Sequence, residues 1–244
     1  MSLPNGTTIT WYGHSCFRFD TAGQRTIILD PYFENPNSPI KAEAVDRCDL
    51  LLVSHGHFDH FGDALALKSR LRPVWPCIHE LSLWLPRRLP AGDEGVIGMN
   101  KGGTVEAAGL HVTMVGADHS AGDWNPVGET TLYLGDPVGF VIELEDGYRI
   151  YFAGDTLVYS DMRLIRDLYR PQLAMLPIGG HYTMDPVAAA LAVEFLDVKD
   201  VVPMHYGTFP VLVGTPDHLR SALADRGLAD VLVHAPDPGG TIAG

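Results

Sequence analysis

The feature that most constrains this chain is the six-residue run His55-Gly56-His57-Phe58-Asp59-His60, which follows the apolar stretch Leu50-Leu51-Leu52-Val53 after a single serine. A short continuous apolar run reads as a strand buried on both faces, and the Ser-His-Gly that follows it breaks any helix. Four of the six side chains are imidazoles or carboxylates, the groups that ligate metals. A strand feeding a turn can aim His55 and His57 the same way, because side chains two apart share a face. Asp59 and His60 then follow on the turn, so one short segment can serve two ions. Such ligands suit Zn²⁺, Mn²⁺ or Fe²⁺. A surface loop that happens to be rich in histidine is the competing explanation, and the density of the run weighs against it.

The same arrangement recurs along the chain. Leu110 to Val115 runs into Gly116-Ala117-Asp118-His119, Arg149 to Phe152 into Ala153-Gly154-Asp155-Thr156, and Asp200 to Met204 into His205-Tyr206-Gly207. In sheets of this kind, sites form in the crevice beyond the carboxyl ends of the strands. Four strand ends can therefore converge on one place. Further strands are read at 8–12, 16–19, 26–29, 139–144 and 173–176, with a hairpin turn at Glu145-Asp146-Gly147. Asp185-Pro186 and Thr215-Pro216 are helix starts, each a capping residue followed by proline at the first helical position, and Gly227 is placed to end the second helix. Ser120 to Pro137, rich in Gly, Pro, Asn and Asp, reads as a long irregular loop, and such loops are often functional. No repeat, low-complexity segment or linker divides the chain, so one domain over 1–244 is expected.

Composition excludes some functions. The formal net charge of −13 argues against a nucleic-acid partner, because phosphate backbones bind basic faces. It does not fix the charge of a small-molecule substrate, since a metal site attracts anions locally. With 46% hydrophobic and 19% charged residues the chain reads as folded and soluble. Cys16, Cys48 and Cys77 are odd in number and lack a C-x-x-C spacing, so neither disulfides nor a thiolate site is expected. The first residues carry no secretory signature and no run is long enough to span a membrane, so the expected setting is the cytoplasm. Self-association into a homo-oligomer is left open.

His55-Gly56-His57-Phe58-Asp59-His60, with His119, Asp155 and His205, resembles the ligand set of the metallo-β-lactamase superfamily. Thr10 to Ser15, Asn100 to Thr104, Leu176 to Gly180 and Met204 to Pro210 are similar to a family of poorly characterised bacterial and archaeal metal-dependent hydrolases. That family is related to an ascorbate-phosphate lactonase and to the phospholipase D that cleaves N-acylphosphatidylethanolamine. The resemblance implies an α/β (α+β) fold, an αββα sandwich with the metals at one edge. It implies that His55, His57 and His119 hold one ion, that Asp59, His60 and His205 hold a second, and that Asp155 bridges them. Two divalent ions are implied, Zn²⁺ first with Mn²⁺ or Fe²⁺ as alternatives. A hydroxide shared by the metals would cleave an ester-type bond, in a phosphodiester, lactone or related small molecule, with Asp59 taking or orienting its proton.

Around that set, Asp30 is read as accepting a ligand histidine's second N–H, or equally as a turn carboxylate before Pro31. His181 is read as a proton donor or substrate contact. His14 is read equally as reaching the cleft or as filling the core. His79, His111, His218 and His234 are read as structural or exposed. The alternative from another class is an iron-binding oxidoreductase on the same ligands, which lacks support from any redox extension. A non-catalytic metal module is disfavoured by the completeness of the ligands, and a ribonuclease by the acidity.

Overall fold

Alternating burial makes β1 (Thr8–Trp11) and β2 (Phe17–Asp20) one-faced strands, whereas β3 (Thr26–Leu29) and β4 (Leu50–Leu52) are buried throughout. The apolar runs of the sequence thus become inner strands, as hydrophobic burial requires. The computed structural model describes residues 3–125 and 127–244, with the side chains of residues 124 and 125 left aside.

After β4 come α1 (Phe58–Phe61), α2 (Ala64–Leu71), β5 (Trp75–Ile78), α3 (His79–Trp84), β6 (Val96–Met99), β7 (Thr104–Ala107) and β8 (Leu110–Gly116). The middle of the chain forms β9 (Asp123–Asn125), β10 (Thr130–Leu132), β11 (Val138–Glu143) and β12 (Arg149–Phe152). The last third alternates α4 (Met162–Tyr169), β13 (Leu173–Pro177), α5 (Pro186–Leu196), β14 (Asp200–Met204), α6 (Pro216–Asp225), β15 (Leu232–Val233) and β16 (Thr241–Ala243).

Two sheets dominate: a five-stranded one in the order β16-β1-β2-β3-β4, and a seven-stranded one in the order β15-β14-β13-β12-β11-β8-β7. Their inner faces share one apolar core that includes Phe17, Phe19, Phe140, Tyr151 and Phe152. With helices outside, the result is the αββα sandwich expected from the sequence. α5 packs on β13, and α4 and α6 pack on α5. Both expected helix starts are present: the Asp185 carboxylate accepts from Ala188 N–H at 2.8 Å, and Thr215 Oγ1 accepts from His218 N–H at 3.2 Å. Among the described residues no helix is long and apolar enough to cross a membrane.

Two expectations are corrected. The segment 120–137 is not wholly irregular: β9 and β10 pair antiparallel, with Thr130 opposite Asn125 and Leu132 opposite Asp123. β10 is exposed along its length, so it carries no buried alternation for a sequence reading to find. His55 and His57, moreover, lie beyond the end of β4 rather than on it, and their shared aim is set by a loop and by the helical turn α1 that His57 precedes.

Candidate metal centre

Loops after β4, β8, β12 and β14, together with the turn between β1 and β2, bring the candidate ligands to one edge of the sandwich. Backbone contacts between these loops hold them in place. Asp118 N–H donates to Thr156 Oγ1 at 2.9 Å and Leu157 N–H to Asp118 O at 3.1 Å, tying the His119 loop to the Asp155 loop. His205 N–H donates to His14 O at 3.0 Å, joining the two sheets. Gly154, before Asp155, has φ +61°, and a Cβ there would stand 2.6 Å from Ser54 Cβ and 2.8 Å from Val138 O. Only glycine lets the Asp155 loop approach the ligand run so closely. His14, Asp30 and His205 also adopt left-handed backbone conformations, with φ of 54°, 41° and 55°. Such positions cost about 1–3 kcal/mol each and cluster where a site demands them.

The donor atoms fall into adjoining groups. Ring nitrogens of His55, His57 and His119 lie within 4.8 Å of one another, as do the donors of His14, Asp59, His60 and His205. Asp155 touches both: its Oδ2 is 3.6 Å from His119 Nε2, 3.3 Å from His60 Nε2 and 3.0 Å from His205 Nε2.

Hydrogen bonds behind the rings decide which nitrogen faces inward. The Asp30 carboxylate accepts from Ser54 N–H and Ser54 Oγ–H, both at 2.7 Å, and from His60 Nδ1–H at 2.6 Å. Ser54 Oγ, having given its proton to Asp30, accepts from His55 Nδ1–H at 3.0 Å. Both rings therefore present an unprotonated Nε2 to the cluster. His55 Nε2 then meets His57 Nδ1 at 2.8 Å, and His60 Nε2 and Asp155 Oδ1 are buried with no hydrogen-bond partner. Acceptor atoms left without a donor in a buried pocket are the groups that a cation satisfies. The donor set fits divalent metal.

The electrostatics agree. Burial, aided by His60, pushes His55 well below its ordinary value, and burial lowers His57 and His119. Burial and His205 push His14 down to about 4. Burial would raise the carboxyls of Asp59 and Asp155, but His60 beside the first, and His205 and His60 beside the second, hold both far below the usual range. Burial also opposes a charge on His60, yet Asp155, Asp30 and Asp59 outweigh it and raise that ring well above its ordinary value. A cation held between these rings and carboxylates would supply the positive charge that the site favours.

The structure brings together His55, His57, Asp59, His60, His119, Asp155 and His205, with Asp30 behind His60. His14 is fully buried in the same cluster: its Nε2–H donates to Asp59 Oδ2 at 3.0 Å, and its Nδ1 accepts from Thr208 Oγ1–H at 2.9 Å. His181 is not brought in. It is exposed and packs edge-on against Tyr182 at 4.5 Å between centroids. His79, His111 and His218 are exposed, and His234 pairs with Asp200 at 2.6 Å. The sequence reading missed Ser54 and Thr208, although both sit inside segments it had singled out. It also missed Tyr182, Phe209 and Val211, which line a cleft of about 800 Å³ over the donors.

A family profile described as a β-lactamase superfamily domain matches residues 8–205, a span that holds every donor from His14 to His205. The chain is 45% identical over 216 residues to a UPF0173 metal-dependent hydrolase of Koribacter versatilis, covering 88% of this chain and 91% of that one. It is 43% identical over 235 residues to another from Rubrobacter xylanophilus, covering 96% and 95%. Among solved structures it is similar to Igni18, a metallo hydrolase from the archaeon Ignicoccus hospitalis, with 36% identity, a TM-score of 0.82 and 97% of each chain covered.

Proposed function

This chain belongs to the β-lactamase superfamily and, within it, to the UPF0173 metal-dependent hydrolases, and from that footing we propose that it cleaves an ester-type bond in a small molecule at a centre of two divalent cations, Zn²⁺ foremost. The observation that carries this reading is Asp155, whose carboxylate lies against His119 on one side and against His60 and His205 on the other. In this reading His55, His57 and His119 hold one ion, Asp59, His60 and His205 hold the other, and Asp155 serves both. Such a pair of ions supplies Lewis acidity and a nucleophilic water at neutral pH.

The chain's own contribution is orientation and proton handling. Asp30 and Ser54 fix the rings of His60 and His55 in the ligating tautomer. Asp59 borders the cleft and is anchored by His14, which places its carboxylate to accept a proton from the attacking water. The free, buried thiols of Cys16, Cys48 and Cys77 support a reducing compartment such as the cytoplasm.

Metal analysis of the purified protein, paired with a screen of phosphodiesters, lactones, thioesters and β-lactams, tests the reading. About two equivalents of zinc are expected, with turnover of at least one class that falls by roughly 10²-fold or more in Asp59→Asn and His60→Ala. Bound iron with oxygen-dependent chemistry and no hydrolysis would assign the chain to oxidoreductases instead.

A further inference from the structure

The donors form only the floor of the cleft, and its walls are made differently. Phe58 and Tyr182 are 60% and 59% exposed, Val211 is 41% exposed, and Phe209 is half-buried, yet all line the same cleft as His57, Asp59 and His205. Single exposed apolar side chains are ordinary. Several around one concavity that also holds convergent polar groups mark a recognition surface. Their exposure follows from local geometry. Phe58 lies between two residues aimed at the floor, so the helical turn leaves its ring outside, edge-on to Tyr32 at 5.8 Å between centroids. Phe209 stands edge-on to His14 at 5.6 Å between centroids.

The rest of the wall is Ser120, Gly122 and the exposed Asp123. Among the described residues no lysine or arginine lines the cleft. Beyond the oxyanion contact that a metal pair itself supplies, sites that select phosphate esters over neutral ones add guanidinium, ammonium or clustered backbone N–H groups for the remaining charge. Here the wall offers the opposite charge, from Asp123. Resting on the proposed hydrolase reading, we infer that the substrate is an uncharged ester or lactone rather than a phosphodiester. Its apolar arm lies along Phe58, Tyr182, Phe209 and Val211, and its carbonyl faces the metal floor. A cleft of this volume falls in the range that encloses a small organic molecule.

The test is calorimetric and needs no turnover. Zinc-loaded protein is titrated with n-alkyl hydroxamic acids of two to eight carbons, which are uncharged in solution, and with n-alkylphosphonates of the same lengths. Hydroxamate affinity is expected to rise about twofold per methylene, less than complete burial would give because the cleft is open. Each phosphonate is expected to bind more weakly than its matched hydroxamate. Tyr182→Ser and Val211→Ser should flatten the chain-length slope, and Asp123→Lys should tighten the phosphonates about fivefold or more. A flat slope in the parent protein, phosphonates that bind more tightly than hydroxamates, or no binding by either series would overturn the inference. Preferential turnover of a phosphodiester over a neutral ester of matched size would overturn it too, while leaving the hydrolase reading in place. Loss of the hydrolase reading, by contrast, would show as absence of turnover across the whole screen, whatever the binding slope.

Discussion

Asp30 touches no substrate-facing surface, yet its two oxygens receive Ser54 N–H, Ser54 Oγ–H and His60 Nδ1–H. One buried carboxylate thus sets two rings at once, His60 directly and His55 through the serine hydroxyl. Asp30→Asn replaces an acceptor oxygen with a donor that faces these protons. Metal affinity is expected to fall about 10–100-fold, read by competition with a coloured chelator, with the melting curve confirming that the chain still folds. His181 carries the opposite expectation. Its ring is exposed against Tyr182 and stands apart from the donors, so His181→Ala should leave kcat within about threefold, far short of the 10²–10⁴-fold that a general acid contributes. A larger loss with unchanged metal content would restore the proton-donor role read from the sequence. At this scale the ligands were legible, because residues 55–60 concentrate them locally and the others follow apolar runs. The partners that orient them were not. Thr208 meets His14 across 194 residues of chain, and spacing along a sequence carries no trace of such a bond.

Among the elements, β3, β12 and β14 coincide with apolar runs, and α5 and α6 begin at their capping residues. Burial and capping leave strong local signatures, and those elements were legible for that reason. The β9–β10 hairpin was not, because β10 is exposed along its length and carries no buried alternation. The β5–β6 pair, with Pro76 inside a buried strand, breaks the composition expected of a strand. The hairpin has a separable role. Ser120, Gly122 and Asp123 at its base line the cleft, whereas every donor but His119 hangs from another loop, and His119 itself precedes the hairpin. Replacing residues 123–132 with a short Gly/Ser linker is therefore expected to leave zinc content unchanged while raising KM about tenfold or more for any substrate the screen identifies. Loss of zinc in that variant would show that the hairpin supports the centre itself. Leu134, buried where the segment closes over Gly56, stays in place and keeps that seal.

For the molecule as a whole, the site is a store of acid lability. Burial and neighbouring imidazoles hold His14 at about 4 and keep His55, His57 and His119 below their ordinary 6.5. A group depressed in the folded state contributes stability above its unfolded value, and that contribution is lost as pH falls toward the folded one. The carboxyls of Asp59 and Asp155, also depressed, extend the loss below pH 3.8. His60, raised, acts in the other sense: its contribution is complete below pH 6.5 and fades as pH climbs through its folded value. Asp30, which burial raises, opposes the loss in this window, but with four depressed rings on the other side the urea midpoint of chelator-treated protein should fall between pH 6.5 and pH 4, and a midpoint unchanged over that window would contradict this balance. Zinc should raise the neutral-pH midpoint through its preference for the folded chain and lose that effect in acid, where protons compete for the same nitrogens. The contact between His205 and the turn at His14 has a last consequence, concerning the order in which a nascent chain matures. The run at 55–60 leaves the ribosome early, but the donor at 205 follows only after β13 and α5 have been made. On the proposed ligand set, a complete centre therefore waits until most of the polypeptide has been synthesised.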